Sequence, residues 1–86
     1  MICMISKSLN ELIETLLHIK SKEEMVDFLR GILTPQELDE IPTRLQIVKM
    51  LKKGMPHHAI AEKLGVGVAT VTRGSKEIQK GRFQHV

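Results

Sequence analysis

Eighty-six residues make one small domain, with 42% hydrophobic residues, only two aromatics (Phe28 and Phe83) and a single cysteine, Cys3. One cysteine excludes an intrachain disulfide and fits a reducing compartment, the cytoplasm, while the apolar start, Met1 to Ile5, is too short for a signal peptide or a membrane span. The net charge of +3 hides a split: four Lys/Arg against eight acids from Met1 to Thr43, then nine against two from Arg44 to Val86.

Along the chain, Ser8-Leu9-Asn10-Glu11 matches a capping box, and Leu9, Leu12, Ile13, Leu16 and Leu17 form an amphipathic stripe to about Lys20. Ser21-Lys22-Glu23-Glu24 opens a second helix with Met25, Val26, Phe28, Leu29, Ile32 and Leu33 as its apolar face. Thr34-Pro35-Gln36-Glu37 opens a third, with proline at the favoured first helical position and a stripe of Leu38, Ile41, Leu45, Val48 and Leu51. Pro42 falls inside this pattern, where it removes one backbone hydrogen bond and crowds the Leu38 carbonyl. A kink, or two segments meeting near Ile41, is the expectation. Lys49, Lys52 and Lys53 suit the negative end of the helix dipole, and Gly54 ends the helix.

From Gly54 to Lys80 the chain reads as two short helices joined by a tight turn. Pro56 is expected at the first position of one; Gly67 caps the other, which runs from Val68 to about Lys80 before Gly81. Ile60, Leu64, Val66 and Val71 would hold the pair together. Ala61 is small where the helices cross, and Gly65 suits the left-handed turn after Leu64. This is the spacing of a helix-turn-helix, whose second helix enters the DNA major groove; the plainer alternative is a helical hairpin in a bundle. The chain is therefore expected to be all-α with about five helices: a single domain, 1–86, with core and dimerisation helices over 8–53 and a DNA-binding head over 54–80. A core this small is marginal alone, so the apolar stripes of the first two helices point to a homodimer.

The basic half suits a polyphosphate. With so few aromatics to stack on bases, duplex DNA is favoured over single strands or RNA. The outward residues of the presumed recognition helix, Ala69, Thr70 and Thr72, are small, so direct base readout looks thin and water-mediated or shape readout fills the gap. His57 and His58 open the preceding helix beside the DNA backbone; adjacent histidines on a helix diverge, so no metal site is expected. No nucleophile has a nearby base and there is no phosphate loop, so no enzyme is expected. A helical protein-interaction module that uses the basic half on an acidic partner is the alternative of another class.

ILTPQELDEIPTRLQIVKMLKKG, followed by AIAEKLGVGVATVTRGS, resembles the tryptophan repressor family over roughly Leu29 to Ile78. The resemblance implies an intertwined all-helical dimer and a transcriptional repressor on a double-stranded operator, with an amino-acid corepressor such as L-tryptophan as its effector. It assigns Arg44 and Arg73 to sandwich the indole, Thr34 and Arg73 to the ligand carboxylate, and Gly74 to leave room for the ring. Glu77 stands where a serine lies beside the ligand. Four residues after Arg73, it is spaced either to pair with that guanidinium or to accept the ligand ammonium. Positions of DNA contact fall on His57, His58, Ala61, Gly67, Val68, Ala69, Thr70 and Thr72; Arg73 and Lys76 extend the basic surface. Pro42 and the Pro56-His57-His58 run depart from the family pattern, Ala61 replaces a phosphate-contacting lysine, and the chain after Gly81 is shorter than the family's last helix. A DNA-binding relative with a different effector, or none, is thus the nearest competing reading.

Overall fold

A computed structural model describes residues 5–86, which form five α-helices and no strand. They are α1 (Lys7–His18), α2 (Lys22–Ile32), α3 (Pro35–Lys52), α4 (His57–Leu64) and α5 (Val68–Gln79). The all-α architecture is the expected one. The expectations for Cys3, and for Met1 to Ile5 as too short for a signal peptide or a membrane span, fall, except at Ile5, outside the described residues. The chain divides after Pro35 into two compact units, so α3 groups with α4 and α5 rather than with the helices before it.

In the first unit, α1 is capped by Ser6 and not by Ser8. Ser6 is extended and its Oγ accepts the Leu9 N–H at 3.1 Å, which places Ser8 inside the first turn and dissolves the box with Glu11. A hydroxyl two residues earlier offers the same cap to a longer helix. Ser21 caps α2 as expected, accepting from the Glu24 N–H at 3.1 Å. Neither helix contains a buried residue; Leu17 is 72% exposed and Ile32 52%.

In the second unit, α3 continues through Pro42 as one helix, and the two-segment alternative is wrong. The Thr43 hydroxyl donates to the Asp39 carbonyl at 2.8 Å, which gives the backbone next to the proline a side-chain partner. Gly54 ends the turn after α3 at φ +84. Pro56 is the cap of α4, one residue before its expected place: its ψ of 148° is extended, and the first helical residue is His57. Gly65 turns the chain at φ +68, where its N–H reaches the Ala61 carbonyl. Gly67 caps α5.

The core sits where the end of α3 meets this helix pair. Ile47, Ile60, Ala61 and Val71 are buried, and Met50, Leu51, Met55, Leu64 and Val66 pack around them. Ile47, 1% exposed, is absent from the stripe that the periodicity picks out. α3 is apolar on two faces, and a single run at helical spacing follows only the Leu38–Ile41–Leu45–Val48 face. Ile41 and Leu45 on that face stay exposed.

Candidate functional site

α5 has three distinct faces. Val71 points into the core and is fully buried. Ala69, Thr70, Arg73, Gly74 and Glu77 recur at one-turn spacing and line a cavity of about 760 Å³ against Ile41, Arg44, Leu45, Ile47 and Val48 of α3. Phe83, beyond α5, completes the lining. The remaining face carries Val68 and Lys76, both exposed. Gly67 to Thr70, the N-terminal turn of α5, is exposed throughout, the condition for insertion into a groove.

The cavity gathers four of the five residues expected at a ligand: Arg44, Arg73, Gly74 and Glu77. Thr34 precedes α3 and is not part of this lining. Among the described residues neither Arg44 nor Arg73 has a side-chain hydrogen bond or ion pair, so two guanidiniums keep their full donor sets. Glu77 does not pair with Arg73. Lys80 Nζ donates to its Oε2 at 3.1 Å and Arg82 Nε to its Oε1 at 2.8 Å. Those bonds hold the carboxyl below the ordinary carboxylate range. The competition for Arg73 that the spacing suggested is therefore absent, because cations on the C-terminal side of Glu77 take both of its oxygens.

Gly74 has a structural duty beside its place in the lining. A Cβ here would stand 3.2 Å from Ile47 Cγ2 and 3.5 Å from Leu51 Cδ1, so its bareness serves the close approach of α5 to α3. Phe83 was missed by sequence reasoning. It lies outside any periodic stripe, and being one of two aromatics was its only signal. A smaller cavity of about 250 Å³, bounded by Asp39, Glu40, Thr43, Arg44, Val66 and Thr70, opens on the other side of Arg44.

Among the positions expected to meet DNA, Ala61 is 6% exposed and belongs to the core under the turn, so its small side chain serves the helix crossing. His57 is half-buried, with Nδ1 3.4 Å from the Thr72 Oγ1, a link between the start of α4 and α5. His58, Gly67, Val68, Ala69, Thr70, Arg73 and Lys76 are exposed. No group of three or more His, Cys, Asp or Glu side chains able to hold a metal ion occurs among the described residues. None of the described helices is long and apolar enough to cross a membrane.

The family model described as "Trp repressor protein" matches residues 7–85. The chain belongs to the Trp repressor family. That family consists of transcription regulators, not enzymes. Among curated relatives, a Trp operon repressor homolog of Actinobacillus succinogenes is 39% identical over 71 residues, 81% of this chain and 70% of the relative. A Trp operon repressor homolog of Vibrio atlanticus is 38% identical over 74 residues, 85% of this chain and 72% of its own. An uncharacterized protein of Bacillus subtilis, YerC, is 29% identical over 75 residues, 87% of this chain and 72% of its own. No solved structure matches the chain. In this Trp repressor-family chain the cavity lies between α3 and α5, and the N-terminal turn of α5 is exposed.

Proposed function

We propose that this member of the Trp repressor family is a sequence-specific, DNA-binding transcriptional repressor, a cytoplasmic homodimer whose grip on its double-stranded operator is set by an amino-acid effector in the α3–α5 cavity. Tryptophan is the first candidate. One observation carries the reading: Arg44 and Arg73, two arginines without side-chain partners among the described residues, line one cavity on the back of the helix whose leading turn is open to a groove. Arginine suits both uses the effector demands, since its plane stacks on an aromatic ring and its fork binds a carboxylate in two places. A ligand held on Arg73 touches α5 itself. Its differential affinity for one setting of that helix becomes a change in DNA affinity. Glu77, whose oxygens keep lone pairs beyond the bonds from Lys80 and Arg82, is the acceptor for the effector's ammonium.

The chain contains neither Trp nor Tyr, so bound tryptophan is followed by its own fluorescence. The expected result is saturable binding that Arg73→Ala abolishes, with a matching gain in operator retention on a gel when tryptophan is present. If millimolar tryptophan neither binds nor alters the retention, the tryptophan reading fails. A second reading, a family member answering to another ligand, is favoured by the lining itself: Glu77 adds a negative charge beside the two arginines, engaged by Lys80 and Arg82.

A further inference from the structure

Beyond α5 the chain turns back toward α3. Gly81 makes the turn at φ +95, a left-handed conformation that suits glycine. Phe83, an L-residue with a large side chain, is also left-handed, at φ +61. Such a conformation persists only where surrounding contacts over-determine it, and here they do. Lys52 Nζ at the end of α3 donates to the carbonyls of Phe83 and, at 3.1 Å, of Val86. Arg82 Nε donates to Glu77 of α5 at 2.8 Å. The segment also bonds to itself, Gln84 Nε2 to the Gly81 carbonyl at 3.0 Å and the Val86 N–H to the Phe83 carbonyl at 3.2 Å. The effect of all five bonds is to hold one aromatic ring at the edge of the cavity. The ring borders the space without filling it: the remaining 760 Å³ is within the range of about 300–1,000 Å³ typical of small-ligand sites.

We propose that Gly81–Val86 is a strap, latched to α3 by Lys52 and to α5 by Glu77, that holds Phe83 as a closing wall of the cavity and selects ligands with a flat apolar part. The selection rests on the effector reading above; the strap does not. Both latches are polar and the cations in them are exposed, so the strap can release without dismantling the core. Ligand and strap then favour each other, since a ring packed on Phe83 keeps the strap closed and a closed strap supplies the ring's partner. Because Glu77 lies on α5 one turn after Arg73, closure also bears on the helix that carries the effector's arginine.

Phe83→Trp places the chain's sole tryptophan on the strap. Phe83 is 38% exposed, so the emission is expected to be partly blue-shifted and measurably less open to acrylamide quenching than a free indole, and adding Lys52→Ala or Glu77→Gln should move both toward the free value while leaving helicity unchanged. In the unaltered chain, where Phe28 is the other aromatic, nuclear Overhauser contacts from the Phe83 ring to methyls of the α3 residues lining the cavity report the same geometry without a variant. An indole at position 83 that is quenched like a free one, and a Phe83 ring without such contacts, would overturn the strap. With the probe tryptophan, Phe83→Ala should weaken binding about fivefold, the loss of roughly one aromatic contact. Unchanged or tighter binding would overturn Phe83 as the selecting wall. If tryptophan binds no variant while the position-83 indole stays shielded, the tryptophan reading falls and the strap stands.

Discussion

The titration of Glu77 is displaced downward, and its sign fixes a pH dependence. Hydrogen bonds from Lys80 and Arg82 lower its pKa, so its contribution to stability is present above the ordinary carboxylate range and is lost as pH falls through the lowered value. Glu77→Gln should therefore lower the melting temperature near neutral pH. Thermal melts of the two proteins should converge once the solution is acid enough to protonate the native carboxyl. Gly74 poses a different test. An added methyl gains helix propensity of about 1 kcal/mol but meets a fully buried Ile47, and overpacking of that kind costs about 1–3 kcal/mol. Gly74→Ala should lose about 1 kcal/mol in urea denaturation, with or without ligand. The family resemblance, not spacing, made Arg44 and Arg73 legible as neighbours of one site, and both line the same cavity. Residue type and spacing left undecided whether Ala61 faces the crossing or the DNA, because both roles favour a position on the same short helix and only burial separates them.

Helix boundaries were legible where the chemistry is local. Ser21, Gly54, Gly65, Gly67 and Gly81 each act through the backbone of their own turn, and each stands at a helix end. Ser6 and Ser8 compete for the same orphan N–H groups, so spacing alone chose the wrong one. The two-segment alternative at Pro42 fails because the lost hydrogen bond is a local cost, whereas the burial of Ile47 and Val48 further along favours a continuous helix. That cost should be recoverable. Pro42→Ala is expected to stabilise the protein by up to about 3 kcal/mol, less the entropy it returns to the unfolded chain, read as a higher urea midpoint. Gly65→Ala should do the reverse, by about 1–2 kcal/mol, since a side chain is placed at φ +68.

For the whole molecule the fold class followed from helical periodicity and caps, but the cavity did not. Its walls come from α3, α5 and the chain beyond Gly81, and no sequence pattern ties Phe83 to Leu45. In the proposed homodimer, the apolar residues of α1 and α2 that stay open, Leu9, Leu17 and Ile32 among them, are the surface that a second copy would cover. Light scattering at micromolar concentration is expected to return twice the 9.7 kDa chain mass. Binding to duplex DNA should weaken with salt. If six phosphates are neutralised per dimer, log K falls against log salt with a slope of about −5. A flat response would favour an acidic protein as the partner of the basic half.

Ala69, Thr70 and Arg73 occupy the leading half of α5 and also line the cavity behind it. In the proposed repressor the residues that choose the effector are thus, in part, the residues that meet the operator. Selection on one trait therefore drags the other. A lineage that changes its signal at these positions must re-tune its promoters at the same time, and an engineer seeking a new effector would do better to vary Leu45, Val48 and Phe83, which line the cavity from outside α5.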